Sequence, residues 1–345
     1  MGLNIKDIIP RKEIEISDLK DKLVFVDAFN MLYQFLSTIR QPDGTPLMDN
    51  KHRVTSHLSG IFYRNVNLLA EGIKMVYVFD GTPPDLKAGT HKIRAEVREL
   101  AKSRYEEAKQ EEDVEGMKRY SSQFVKINDE MLRESKELLE AMGIGVVQAP
   151  GEGESEAAFL SRVKPSYGVV SQDYDSLLFG ATKLIRNLGL ARKRKTISGW
   201  VEIKPELIEL DRVLNLLEIN LDQLICLGIL VGTDYNPRGI PGIGQKRALE
   251  LVKKYKQPVL IFKSVEEQMM GLPLEDRFDW QEIFELFHKP RTVNPDIKFH
   301  KVNEDEIKRI LVNEHDFSEE RVDKQLEKLH EIKEQKKQKA LGDWV

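Results

Sequence analysis

Four short apolar runs punctuate the first half of the chain, at 23–26 (LVFV), 75–79 (MVYVF), 146–148 and 168–170. Each is too short and too continuously apolar for a strand with one wet face, so the pattern predicts strands buried on both sides. Between them, apolar positions recur at helical spacing over 31–40, 54–71 and 154–162. Strands alternating with helices make a mainly parallel sheet flanked by helices, so the expected class is α/β.

Two regions depart from this alternation. Residues 86–142 are charged, helix-favouring and nearly free of proline, and they are longer than an ordinary crossover. They read as a helical insertion rising from the sheet, with Gly116 as the expected break between two helices. After Val201 the pattern becomes helical, with helices expected over 222–231, 245–255, 305–313 and 318–336, followed by a polar tail from about Glu334. The expected division is 1–85 and 143–235 for the two parts of the sheet, 86–142 for the insertion, 236–333 for the helical subdomain and C-terminal helices, and 334–345 for the tail. No internal repeat stands out.

Composition narrows the class. No stretch reaches the roughly 18 apolar residues of a membrane span, and MGLNIKDIIPRKEIE lacks the apolar core of a signal peptide,. The expectation is an intracellular protein with no membrane partner. Cys226, the one cysteine, excludes a disulfide framework or a cysteine-cluster metal site,. Across 345 residues, 53 Lys+Arg against 57 Asp+Glu leave a net charge of −4, which argues against nucleic acid only if the charges are evenly mixed,.

They are not. Acids follow the predicted strands at once: Asp27 ends LVFVD, Asp80 ends MVYVFD, Glu152 and Glu154 lie in APGEGESEAA, Asp173 and Asp175 in VVSQDYDS, and Asp234 in LVGTDY. One such acid is an ordinary helix cap or turn residue. Their recurrence is different, because the carboxyl ends of parallel strands converge on one crevice. Crowded carboxylates raise one another's pKa and need neutralising, which hard divalent cations with oxygen ligands do. Seven acids suggest two ions, the arrangement that clamps the attacking and leaving oxygens of a phosphodiester. No HxH or HExxH spacing supports zinc, so Mg²⁺ or Mn²⁺ is expected,.

FDGTPPDLKAGT, APGEGESEAA, VVSQDYDSLLFG and LVGTDYNPRGIPGIGQKRALELV closely resemble the flap endonucleases of the structure-specific 5′ nuclease superfamily, in their archaeal form. The resemblance runs from MGLNIKDIIP to the C-terminus. It implies a PIN-like α/β fold with a helical arch and a helix-turn-helix DNA-binding subdomain. It also implies a two-metal site in which Asp27, Asp80, Glu152 and Glu154 lie nearer one ion and Asp173, Asp175 and Asp234 nearer the other. The implied activity is cleavage of branched DNA one nucleotide into the duplex beside a free 5′ flap, with 5′–3′ exonuclease activity. Its implied settings are Okazaki-fragment maturation and base excision repair, in the cytoplasm with the chromosome.

The same resemblance gives other residues roles. Lys87, His91, Arg94 and Arg98 are spaced to share a helix face,. On residues alone this is a solvated face with acids interleaved; Lys87 and Arg94 match the family's basic pair at the scissile phosphate. Tyr33 matches an aromatic on which a terminal base stacks, and Gly2 matches a residue beside the active site. In GIPGIGQKRALEL, Gly242, Gly244, Lys246 and Arg247 match the element that grips downstream duplex, where the family often holds a monovalent cation. Glycines there admit close backbone approach, and a helix N-terminus holds phosphate. The basic run 192–195 is expected in a hairpin loop near DNA or simply in solvent. Gln338, Leu341, Trp344 and Val345 fit the sliding-clamp (PCNA) box, with Val345 in place of the second aromatic, and a short turn is expected to insert Leu341 and Trp344 into an apolar pocket. Nothing suggests more than a monomer.

Within the superfamily, bubble-cutting and junction-resolving enzymes are the rivals, and the compact insertion favours flaps. A clamp-bound scaffold without catalysis would not need seven acids. Because seven acids are gathered in one crevice while basic residues are concentrated in the insertion and behind the Gly242 hairpin, flap-DNA affinity is expected to fall with added salt despite the acidic isoelectric point,. Salt-independent affinity in a binding titration would contradict that segregation.

Overall fold

Period-two alternation inside fully apolar runs gives strands that feed two cores at once. The computed structural model describes residues 3–111, 113–121, 123, 126–189, 193–196 and 199–342. The strands are β1 (Lys12–Glu13), β2 (Leu23–Asp27), β3 (Lys74–Phe79), β4 (Gly145–Gln148), β5 (Gly168–Val170), β6 (Lys183–Arg186), β7 (Lys193–Thr196), β8 (Gly199–Glu202) and β9 (Glu206–Glu209). Seven form one sheet in the order β1-β9-β6-β5-β2-β3-β4, and β7 and β8 form a separate antiparallel ribbon. Strands β2 to β6 run parallel, β9 runs antiparallel to β6, and β1 antiparallel to β9. From β2 the chain steps outward through β3 and β4, then returns to the other side of β2 to lay down β5 and β6. The reversal puts the topological switch point between β2 and β5, the place where open α/β sheets hold ligands.

The helices are α1 (Ala28–Thr38), α2 (Ser56–Ala70), α3 (Ala88–Gln110), α4 (Val114–Ser121), α5 (Asp129–Ala141), α6 (Gly153–Val163), α7 (Asp175–Leu178), α8 (Leu210–Leu217), α9 (Leu221–Val231), α10 (Gln245–Tyr255), α11 (Pro258–Lys263), α12 (Glu266–Met270), α13 (Trp280–His288), α14 (Glu304–Lys308) and α15 (Glu319–Gly342). Phe25, Val76, Val78 and Val169 point to one face of the sheet, where α6, α9 and α10 add Ala157, Leu227 and Ala248. Val24, Val26, Met75 and Val170 point to the other, against Leu32 of α1, Phe62 of α2, Leu138 of α5 and Val322 of α15. Among the described residues no single helix is long and apolar enough to cross a membrane. The apolar α9 is a core helix, with Leu224, Ile225, Cys226 and Leu227 fully buried.

Several boundaries differ from expectation. The insertion is narrower than 86–142, because α5 packs on α2 and β4 and buries Leu138 and Leu139. A buried polar cluster ties α5 down further: His315 Nδ1 lies 3.1 Å from Asp49 Oδ2 and its Nε2 3.1 Å from Glu134 Oε1. The break between α3 and α4 falls at Asp113 rather than Gly116. Asp113 Oδ1 accepts the backbone N–H of Glu115 and Gly116 at 3.1 and 3.0 Å, so a capping side chain sets the helix start and Gly116 sits in its first turn,. Lys193, Arg194 and Lys195 lie in β7 rather than in a loop, and Arg192 is outside the described residues. Strands β8 and β9 precede the helical half.

That half is also divided. Helices α10, α11 and α13 join the first core, whereas α14 and α15 return to the second across the irregular segment 290–303. The backbone of α15 stays helical over Gln338 and Leu341, where a polar tail with a turn is expected. The segment is rich in Glu, Lys and Gln and has no helix breaker before Gly342, so helix propensity wins,.

The two helices after β2 and before β3 are set close by a glycine. A Cβ at Gly60 of α2 would lie 2.2 Å from Phe35 Cγ of α1. Gly60→Ala is expected to destabilise the fold by roughly 1–3 kcal/mol, although alanine favours a helix by about 1 kcal/mol over glycine. A urea midpoint at or above that of the parent chain would contradict the close approach.

Candidate active site

The carboxyl edge of the parallel strands brings the seven acids together, each on a different local device. Asp27 ends β2 and caps α1, accepting the Asn30 backbone N–H at 3.0 Å and the Ser171 hydroxyl at 3.1 Å. Asp80 follows β3 and accepts the Gly153 backbone N–H at 2.7 Å. Only glycine permits that approach, since a Cβ at Gly153 would lie 2.7 Å from Val78 O and 2.8 Å from Asp80 Oδ1. Glu152 and Glu154 flank this residue at the start of α6, and Ser176 donates to Glu154 at 2.8 Å. Asp173 and Asp175 follow β5, and Asp234 follows the Gly232 terminus of α9.

Their proximity shows in their protonation. Burial, then Asp80 and Asp173, raise Asp27 from 3.8 to about 7. Burial likewise pushes Glu154 and Asp175 well above the ordinary carboxylate range, reinforced by Asp175 and Asp173 for the first and by Asp234 and Asp173 for the second. Asp80 and Asp173 are raised by burial too, each with Asp234 adding to the effect. Every one of the seven appears in this web of mutual repulsion.

Two cations from the insertion answer it. Lys87 Nζ pairs with Glu152 and stands 3.2 Å from Asp234 Oδ2. Arg94 Nη2 donates to both Asp234 oxygens at 2.7 and 2.8 Å. Burial alone would lower the Lys87 pKa, but Glu152 and Asp234 outweigh it and raise it. Thr90, one turn along the same stretch, donates to the Asp234 carbonyl. On the opposite side the Tyr235 hydroxyl donates to Glu152, its ring packed edge-on against Phe287 at 5.4 Å. Tyr235, Asn30, Ser171 and Ser176 escape sequence reasoning, because nothing in their spacing separates them from ordinary turn and core residues.

The donor set fits a hard divalent cation. It is all oxygen, burial and mutual repulsion leave its carboxylates in want of a neutralising positive charge, and Asp175 Oδ1 is buried with no hydrogen-bond partner,. Among the described residues no three carboxylates or imidazoles close into a direct chelate. Glu152 and Asp234 are turned instead toward Lys87 and Arg94, and Mg²⁺ usually keeps waters rather than a full protein cage,.

The remaining candidates are more scattered. Tyr33 is exposed on α1. Gly242 and Gly244 precede α10, Gly244 is its N-cap, and Lys246 and Arg247 are exposed in its first turn. A Cβ at Gly244 would meet nothing within 4 Å, so the backbone there is open to a large partner. Arg98 lies along α3 beyond the acids, and the side chains of His91, Gln338 and Leu341 are outside what the structure describes. Gly2, Trp344 and Val345 are outside the described residues altogether.

Known proteins match this architecture along its whole length. Residues 4–101 match the XPG N-terminal domain and residues 143–234 the XPG I-region, two blocks that carry all seven acids and bracket most of the insertion. The chain is 48% identical to flap endonuclease 1 of Hyperthermus butylicus over 336 residues, covering 95% of this chain and 94% of that one. The chain belongs to the flap endonuclease family. Flap endonuclease 1 of Pyrococcus furiosus is also 48% identical, over 347 residues, covering 100% of this chain and 99% of that one. The solved flap endonuclease-1 from Methanococcus jannaschii superposes with a TM-score of 0.76 at 38% identity, covering 97% of this chain and all of that one. The catalytic core of Rad2 in complex with DNA substrate shares the fold, with a TM-score of 0.68 at 23% identity over 95% of this chain and 100% of that one.

The raised acids make stability depend on pH in a definite direction. Asp27 is held protonated by the fold, so its contribution is full below 3.8 and is lost as pH rises through about 7,. In chelator, the free energy of unfolding is expected to fall by a few kcal/mol between about pH 4 and pH 8, and Asp27→Asn is expected to flatten part of that slope. Urea unfolding of both proteins across this range checks it; parallel slopes would contradict the shift.

Proposed function

We infer that this chain is a structure-specific 5′ flap endonuclease with 5′–3′ exonuclease activity, hydrolysing phosphodiesters in branched DNA with two Mg²⁺ ions, for which Mn²⁺ can substitute. One observation carries the reading: seven acids from separate strand and helix ends converge on the switch-point edge, with Lys87 and Arg94 of the insertion docked onto them. The long identity to flap endonucleases supports the substrate class. Okazaki-fragment maturation and base excision repair are the processes in which such a substrate arises.

Asp27, Asp80, Glu152 and Glu154 would hold one ion and Asp173, Asp175 and Asp234 the other. When bound, such ions supply activation of water and stabilisation of charge on the phosphodiester. The chain's own groups do the rest. Gly153, Ser171 and Ser176 hold carboxylates in fixed orientations through neutral donors, and Tyr235 does so for Glu152. Lys87 and Arg94, already within the acidic crevice, place two positive charges where a scissile phosphate would sit and stabilise charge developing on it,. Tyr33 offers a stacking surface to a terminal base.

Duplex binding falls to the other half. The open N-terminus of α10, with Lys246 and Arg247 behind Gly242 and Gly244, suits a sequence-independent phosphate grip, and a monovalent cation in the preceding turn would strengthen it,. The C-terminal Gln338, Leu341, Trp344 and Val345 would engage a sliding clamp. The protein would act as a monomer beside the chromosome.

A labelled 5′-flap substrate tests the reading. With Mg²⁺ the cut should map one nucleotide into the duplex, and preference for a bubble or four-way junction would overturn the flap assignment. Asp175→Ala should keep flap-DNA binding and lose cleavage by on the order of 10²-fold or more. Undiminished cleavage by this variant in Mg²⁺ would sink the assignment of the acids.

A further inference from the structure

Among the neutral side chains that touch the acids of the switch-point crevice, Asn30 bridges two strand ends. Asn30 is the third residue of α1, and its backbone N–H donates to Asp27 Oδ1 at 3.0 Å. Its amide reaches across from β2 to β5: Nδ2 donates to Asp173 Oδ2 at 2.9 Å, and Oδ1 accepts the Gln172 backbone N–H at 3.0 Å. The far side of the same turn is gripped by Arg186 of β6. Its Nε donates to Gln172 O at 3.1 Å, its Nη1 to the Tyr174 hydroxyl at 2.6 Å, and its guanidinium lies 4.5 Å from the centre of the Tyr174 ring. The turn that displays Asp173 and Asp175 is therefore held from both neighbouring elements.

The helix itself does not ask for asparagine. At the third position Glu or Gln would reach back to the cap, and alanine would favour the helix more. Here the side chain turns away from the helix and uses both ends of its amide on the turn after β5. A carboxylate in its place would repel Asp173, and an aliphatic chain of the same size would satisfy neither partner.

We propose that Asn30 is a positioning residue of the acidic centre, fixing the Asp173 carboxylate relative to Asp27 and so coupling the acids at the end of β2 to those after β5. The proposal rests on the reading of these acids as cation ligands. Asn30 touches no reacting atom and acts through Asp173.

The test is calorimetric titration of Mn²⁺ into the full chain, with flap cleavage measured against Mg²⁺ concentration, for the parent protein, Asn30→Leu, Asp173→Ala and the double variant. Asn30→Leu is expected to bind Mn²⁺ about 10–100-fold more weakly and to need correspondingly more Mg²⁺ for half-maximal cleavage, with kcat largely recovered at saturation. In the Asp173→Ala background the Asn30 change should shift Mn²⁺ affinity by less than about twofold. An unchanged Mn²⁺ affinity in Asn30→Leu, or an equal loss in both backgrounds, overturns the proposal. Should Asn30→Leu not fold in chelator, Asn30→Ser, too short to reach Asp173, is read the same way; failure of both to fold assigns Asn30 to the fold and also overturns it. A parent protein that binds no Mn²⁺, or Asp173→Ala binding as tightly as the parent, defeats the cation reading itself.

Discussion

Repulsion among buried carboxylates is the constraint to which the carboxyl edge of this sheet is built. Like charges in a low-dielectric crevice each favour the neutral form of the next, and burial with this repulsion raises Asp27, Asp80, Glu154, Asp173 and Asp175 even where neutral donors oppose it,. The chain answers with neutral donors where space is tightest and with full charges where the crevice opens. Gly153, Ser171, Ser176 and Asn30 serve the inner acids. Lys87 and Arg94 serve Glu152 and Asp234, which face the insertion. The sheet topology makes such crowding possible, because adjacent parallel strands present their carboxyl ends side by side and the connections diverge between β2 and β5 to leave a crevice there,.

Four strands of the parallel sheet, β2 to β5, and the acids that follow them were legible because their signals are local. A continuous apolar run and an acid directly after it report burial and a strand end without reference to the rest of the chain. The supporting residues were not, since their meaning is tertiary. Asn30 becomes informative only once Asp173 is beside it, and Tyr235 only once Glu152 is. The same distinction explains the boundaries. Helix propensity marks α5 as helical but says nothing of its docking on α2, which depends on Leu138 meeting a core assembled from distant segments. Asp113 outweighed Gly116 because a side chain that satisfies two orphan N–H groups defines a helix start more strongly than a glycine weakens a helix,.

The fold does not by itself choose the substrate. The Rad2 core shares it at 23% identity, and the same sheet underlies both chains. What distinguishes one nuclease of this architecture from another must lie in what is hung on the sheet: the short α3–α4 insertion that delivers Lys87 and Arg94, and the helical half that presents α10. A shared fold does not carry a shared substrate, so what selects DNA has to be sought in these attachments.

The return of α15 to the face first laid down by β2 and α2 bears on how the molecule comes into being. Val322, Leu326 and Leu329 close a core many of whose members, from Val24 to Phe62, lie near the opposite end of the chain. During synthesis all seven acids leave the ribosome before α15 does, so the side of α2 that this helix covers stays bare until it arrives. Contacts so distant in sequence make closure of this face a late step in folding. The nascent chain therefore completes its acidic centre, at Asp234, before the helix that buttresses α2 has been made.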